Sequence, residues 1–295
     1  MQTRLIEFEN SSHETLRGIM SIPDEGFRAG AVFLHGFGGK GGSFRRVSIN
    51  MPGALTQEAV FLQGFERNAT VEKKFKIMAS ALADRGITSL RYDASGCGLS
   101  DGDFSKTTLK KRSEELLKAF EIINNECHGA KVNFVAHSMG MCPLAMVFDK
   151  IAPVVGKMVF IAPALNQRGL MRYYFVRDSM RKRDPGIIIN WQNYPQYLNE
   201  EEFLNDCRRQ GRIARENYID SGYFMETQGL DFTHSFDAMK ERILHVHGDC
   251  DQSVPLDSLE IEFPNRIIIS GGDHDLERPD FWEQWFPRAV EFLTK

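Results

Sequence analysis

The chain has 295 residues, with 36 Lys and Arg against 40 Asp and Glu, a formal net charge of −4, and 42% hydrophobic against 26% charged residues. That makeup belongs to a globular protein able to bury roughly 75% of its unfolded surface, and it excludes intrinsic disorder and a fibrous chain. The balanced charge argues against a dedicated nucleic-acid binder, and no apolar run approaches the ~18 residues that span a bilayer. Met1–Asn10 lacks the basic stretch and apolar core of a secretion signal, so a cytoplasmic location without stable membrane insertion is expected.

Short β-branched or apolar runs alternate with longer amphipathic segments, the pattern of an α/β protein with a mostly parallel sheet. In chain order, strands are expected at Leu16–Pro23, Ala31–His35, Ile87–Asp93, Val132–Ser138, Met158–Ala162, Ile243–His247 and Arg266–Ser270. The middle ones are continuously apolar, as strands buried on both faces should be. Residues 40–69, with Lys40-Gly41-Gly42 and Met51-Pro52-Gly53, read as an irregular insertion. Phe75, Met78, Ala79 and Leu82 at i, i+3, i+4 and i+7 predict a helix over 71–86 that stops at Gly86. Leu109, Leu116, Leu117, Phe120 and Ile123 predict another over 107–126, and Met139–Ile151 is apolar and of helical length. Residues 165–230 are too long for an ordinary loop and carry helical patterning, which makes them an inserted cap on a core of 1–164 and 231–295. A last helix is expected at Phe281–Leu293, kinked or split at Pro287. The five cysteines, Cys97, Cys127, Cys142, Cys207 and Cys250, are scattered without C-x-x-C spacing and are expected to be reduced.

Chemistry concentrates where strands end. Val132–Gly140 runs from a buried strand through Ala136-His137-Ser138-Met139-Gly140 into an apolar helix. A serine at such a turn projects its hydroxyl above the sheet edge, where the helix presents unpaired N–H groups. Small neighbours two positions away, here Ala136 and Gly140, let the turn pack tightly. On its own, Ser138 is better explained by a helix cap, and it is the partners downstream that reverse this. A serine nucleophile needs a base oriented by a third group, and two later loops supply candidates. They are His247-Gly248-Asp249-Cys250-Asp251 and Gly271-Gly272-Asp273-His274-Asp275, each following a strand, at the edge where open α/β sheets build their sites.

With Ser138, Asp251 and His274 in that chain order, the sequence resembles the α/β-hydrolase fold serine hydrolases that carry an inserted cap, a group that includes bacterial esterases, cinnamoyl (feruloyl) esterases and monoacylglycerol-lipase-like proteins. The resemblance covers residues 15–293 and rests on five fragments in order. They are His35–Gly39, Asp93–Ser100, Ala136–Gly140, His247-Gly248-x-x-Asp251-x-x-Val254-Pro255, and Gly272-Asp273-His274. Ala136, where the family more often has glycine, and the 40–69 insertion depart from the pattern. The resemblance implies that Ser138 attacks an acyl carbonyl, His274 is the base and Asp251 orients it. It also implies that the backbone N–H groups of Phe37 and Met139 form the oxyanion hole, beside a turn shaped by Gly36, Gly38 and Gly39. The expected substrate is a small-molecule carboxylic ester, with a small acyl or an aryl (cinnamoyl-type) group, and no cofactor or metal is expected.

Competing assignments follow from the same residues. Asp249 is an alternative triad acid, Asp273 and Asp275 are expected in loop contacts, and Asp93 as an acceptor bracing a turn. His13, His128, His137, His234 and His245 read as surface or packing residues, and His35 and His247 as structural hydrogen-bonding groups. The run Arg168, Arg172, Arg177, Arg181, Lys182 and Arg183, opposed only by Asp178, is either a solvated helix face or a means of recognising anions. Trp191, Tyr194, Tyr197, Tyr218, Tyr223 and Phe224 are candidates for the pocket wall. Peptidase, thioesterase and acyltransferase activity use the same triad, a non-catalytic binding protein would retain only the fold, and a homodimer is left open.

Overall fold

A computed structural model describes residues 1–37, 69–70, 72–209 and 218–295 in full, and the backbone alone of 45–49, 57–61, 212–214 and 217. The chain opens with β1 (Gln2–Glu9), β2 (Thr15–Ile22) and β3 (Ala29–Leu34). The expected strand at Leu16–Pro23 is thus preceded by another. β1 is exposed throughout Gln2–Leu5, alternates only from there to Glu9, and pairs only with β2, so its weak apolar signal fits an edge strand. Within 40–69, expected to be irregular, β4 (Arg45–Ile49) and β5 (Gln57–Phe61) form an antiparallel pair. Val47, Ile49, Val60 and Phe61 are strand-favouring types, which the Gly-rich and Pro-Gly punctuation of the segment outweighed.

The next elements are α1 (Lys73–Ala83), β6 (Ile87–Tyr92), α2 (Leu109–Glu126), β7 (Val132–His137), α3 (Met141–Ile151) and β8 (Val155–Ile161). Residues 165–230 contain α4 (Gln167–Arg183), α5 (Glu200–Arg208), the short strands β9 (Arg212–Ala214) and β10 (Asn217–Ile219), and α6 (Ser221–Thr227). β11 (Ile243–Gly248), β12 (Asn265–Ile269) and α7 (Pro279–Thr294) complete the chain.

Eight strands form one sheet in the order β1-β2-β6-β3-β7-β8-β11-β12, parallel from β6 onward. Its two faces are separately packed, and strand side chains alternate between them. Phe134, Ala136, Met158 and Phe160 join the core beneath α2 and α3, whereas Val135, Val159 and Ile161 join the core beneath α1 and α7. The stripe Phe75, Met78, Ala79 and Leu82 is buried as its spacing predicts. Because β3 is followed by β6 on one side while β7 lies on the other, the crossover direction reverses at β3. The crevice of such a sheet opens at the C-terminal strand ends.

α7 runs through Pro287 as one helix. Pro287 and Glu283 are both exposed, so the carbonyl that loses its partner faces water and the break costs less than in a buried position. Opposite it, Trp285 is fully buried and donates from Nε1 to the Leu276 carbonyl at 3.1 Å, which ties α7 to the loop carrying His274. Among the described residues, no helix is long and apolar enough to cross a membrane. Trp285→Ala should lower stability by about 3–5 kcal/mol through the cavity it leaves. A urea midpoint unchanged from wild type would contradict that role.

Candidate active site

β7 delivers Ser138 in a left-handed conformation, φ +57°. A non-glycine residue adopts this only where its surroundings impose it. Here the chain must turn from β7 into a single 3-10 turn at Ser138–Gly140 and then α3. A β-carbon at Gly140 would lie 2.5 Å from the Leu34 carbonyl oxygen, so only glycine lets this turn approach β3 so closely. The Ser138 carbonyl accepts from the Ala164 N–H at 3.1 Å, and this locks the turn from the other side. Ser138 is 7% exposed and lines a cavity of about 460 Å³, together with Phe37, Met139, Tyr174, Tyr223 and Phe224.

The loops after β11 and β12 meet beside it. Asp251 Oδ2 accepts from His274 Nδ1 at 2.7 Å, and Oδ1 accepts from the N–H groups of Ser253 at 2.7 Å and Val254 at 2.9 Å. His274 is anchored in turn to the strand that carries the serine. Its carbonyl accepts from His137 Nε2 at 3.0 Å, and the two rings lie 4.8 Å apart. His137, read from sequence as a packing residue, therefore links β7 to the His274 loop. Beneath that loop, the fully buried Lys74 pairs with Glu72 at 2.7 Å and Glu277 at 3.4 Å.

The turn after β3 is held through the Gly36 carbonyl. His35 Nδ1 donates to it at 2.9 Å and Arg112 Nη1 at 3.4 Å, while His35 Nε2 accepts from the Ala94 N–H at 3.2 Å. In a trans peptide the N–H points opposite to the carbonyl, so anchoring Gly36 O aims the Phe37 N–H away from Arg112. A β-carbon on Gly36 would come 3.0 Å from Ser138 Cβ, so this turn lies against the serine. Gly38 and Gly39 lie outside the described residues.

The competing groups sort cleanly. Asp249 accepts from the Gly271 N–H at 2.7 Å and braces the two loops together. Asp273 accepts from the N–H groups of Asp275 and Leu276, a contact within its own loop. Asp93 accepts from Thr70 and from the Leu99 N–H, as expected of a turn-bracing carboxylate. Much of the basic run on α4 is paired. Arg172 meets Glu200, Arg183 meets Glu202, and Arg177 bonds Asp178 and the Gln252 carbonyl. Arg177 and Lys182 also line the outer cavity. Of the aromatic candidates, Tyr223 and Phe224 line the cavity, Trp191 and Tyr194 pack on Tyr173, and Tyr197 and Tyr218 are exposed.

Electrostatically, burial treats the Asp251 carboxyl and the His35 and His245 rings differently. Burial alone would raise the Asp251 carboxyl, but hydrogen bonds from His247 and His274 hold it well below the usual carboxylate range. Burial, with the nearby Arg112 charge, pushes His35 down to about 3. His245 is also pushed down to about 3, by burial, His247 and Arg266. His247 Nε2 lies 2.8 Å from the Val254 carbonyl, so this nitrogen carries a proton, and Nδ1 lies 3.0 Å from His245 Nε2. Among the described residues, no cluster of His, Cys, Asp or Glu could hold a metal ion.

These shifts have one sign. The folded chain keeps His35 and His245 neutral down to about 3, whereas the unfolded chain protonates them near 6.5, and Asp251 adds the same effect at lower pH. Their contribution to stability is full above the unfolded histidine value and is lost as pH falls. The loss should be roughly 2 kcal/mol per histidine between about pH 7 and pH 5. Urea unfolding at both pH values checks this, and equal stability would contradict it.

The sequence profile of the alpha/beta hydrolase family matches residues 31–285. No curated protein matches the chain. Among solved structures, the esterase Est1E from Butyrivibrio proteoclasticus with ferulic acid bound is similar at a TM-score of 0.63 and 16% identity, over 98% of this chain and 96% of that one. An esterase from Pyrococcus furiosus gives 0.61 at 14% identity, over 99% and 90%. A monoacylglycerol lipase from Paleococcus ferrophilus gives 0.54 at 16% identity, over 100% and 99%. At such identities the likeness establishes the fold. With the profile matched over 31–285 and the sheet wound as described, the chain belongs to the alpha/beta hydrolase family.

Proposed function

We propose that the protein is a serine hydrolase that cleaves carboxylic esters through an acyl-enzyme. Ser138 Oγ attacks the acyl carbon and its proton passes to His274 Nε2. The tetrahedral intermediate then expels the alcohol, which takes that proton. Water repeats the sequence and releases the acid. Asp251 keeps the proton of neutral His274 on Nδ1, leaving Nε2 as the base, and stabilises the imidazolium that forms. The N–H groups of Met139 and Phe37 receive the oxyanion. The observation that carries the reading is the 2.7 Å bond between buried Asp251 and His274, whose backbone is tied to the residue preceding a positive-φ serine.

The aromatic wall of Phe37, Tyr174, Tyr223 and Phe224 supports esters with an aryl or medium acyl group. The ferulic acid bound to Est1E favours the aryl kind. Residues 165–230 act as a cap that controls entry, with α4 seated on the Asp251 loop by the bond from Tyr174 Oη to the Ser253 carbonyl at 2.6 Å. None of the five cysteines is in a disulfide and four of them are buried, in keeping with work in the reducing cytoplasm.

A fluorophosphonate probe should label wild type and leave Ser138→Ala unlabelled, and equal labelling of both would end the nucleophile assignment. In a panel of esters, thioesters and amides, ester turnover should dominate. It should fall from about pH 8 to pH 5 as His274 gains the proton that blocks it as a base. A flat profile would contradict that role.

A further inference from the structure

Tyr223, on α6 of the cap, has a hydroxyl that the assigned machinery does not use. The residue is 5% exposed. Its ring lies 5.2 Å from that of Phe37, and its Oη donates to Met139 Sδ at 3.1 Å. Phe37 and Met139 are the two residues whose N–H groups are proposed to receive the oxyanion, and all three line the same cavity as Ser138. One cap residue therefore touches the side chains of both of these residues.

The partner of that hydroxyl is a poor one. A thioether is a weak acceptor, and a buried O–H gains most from a charged oxygen. The Thr227 hydroxyl donates to the Tyr223 carbonyl at 2.5 Å, and its oxygen is the other side-chain hydrogen-bond partner of the phenol, neutral like the thioether. Burial raises the phenol above its ordinary range, so it stays protonated at working pH. The helix is also held in place. The Glu226 carboxylate accepts from the N–H groups of Leu109 at 2.6 Å and Lys110 at 2.9 Å, and this fastens α6 to the start of α2 in the core. A donor fixed in this way needs only to rotate about its C–O bond to change partners.

We infer that Tyr223 is a third donor to the acyl oxygen: its Oη–H leaves the Met139 sulfur and bonds the substrate oxygen as that oxygen becomes anionic. The inference rests on the acyl-transfer reading given above. An interaction strongest at the tetrahedral stage raises kcat more than it lowers KM. The cap then completes the catalytic site as well as covering it.

Tyr223→Phe removes only the oxygen. With p-nitrophenyl esters, kcat should fall roughly 10–100-fold while KM changes less than about twofold. Inhibition by a trifluoromethyl ketone, which forms a tetrahedral anion on the serine, should weaken by the same factor. A folded Tyr223→Phe protein whose kcat and ketone affinity stay within about twofold of wild type would overturn the inference. A change confined to KM would do so too, since it would mark Tyr223 as packing for bound substrate. Placing 3-fluorotyrosine at position 223 keeps shape and hydroxyl and strengthens the donor, so its kcat should equal or exceed wild type. A loss as deep as that of Tyr223→Phe would count against the inference. Ser138→Ala, assayed in parallel, separates the two readings: if it keeps wild-type turnover, acyl transfer at Ser138 fails by itself, whatever Tyr223→Phe does.

Discussion

The structure depends on a serine forced into a left-handed turn between a buried strand and the helix that follows it. Ser138 pays for that conformation locally, and the compensation comes from neighbours on three sides: the Leu34 carbonyl pressed against Gly140, the Ala164 N–H on its carbonyl, and Gly36 against its β-carbon. Leu34 and Gly36 lie at the end of β3, and Ala164 follows β8. The turn can be strained because the parallel sheet beneath it is packed on both faces and cannot yield.

Around that turn, burial is used in two opposite ways. Asp251 is kept charged by bonds to its two oxygens from imidazole and from backbone N–H groups. His35 and His245 are kept neutral by the same loss of water, because each finds hydrogen bonds suited to a neutral ring. The neutral His35 and the Arg112 guanidinium together fix one carbonyl, and through the peptide plane they fix the direction of the Phe37 N–H. The positions of these groups are set by the scaffold before any substrate arrives, which is the economy of a preorganised site.

Strand positions were legible in the sequence where a strand is buried on both faces, since β3, β7, β8 and β11 leave mainly apolar runs, and β6, with Thr88, Ser89 and Arg91 buried in it, still carries Ile87, Leu90 and Tyr92. β1 was not, because an edge strand exposed on one side mixes polar and apolar residues. Of the two outcomes expected at Pro287, the split does not occur, because sequence shows the missing donor but not that the residue bearing the orphaned carbonyl is exposed. The Ser138, Asp251 and His274 positions stood out because each follows a strand end and has glycine nearby. His137 and Arg112 did not, since their contacts reach residues 137 and 76 positions away, and no local pattern marks such a meeting; Tyr223 stood among six candidate pocket aromatics, but nothing local marks its bond to Met139, 84 positions away. One signal was present all the same: His137 is a histidine at the end of a mainly apolar strand that is buried throughout.

The most direct measurement is mass spectrometry of protein quenched during turnover of an activated ester, followed by peptide mapping. Accumulation of one acyl group on the peptide that contains Ser138, deepened by His274→Ala when deacylation slows more than acylation, is the result expected of a covalent pathway. Turnover with the acyl group found on another residue, or sustained turnover by protein that lacks the Ser138 hydroxyl, would contradict it.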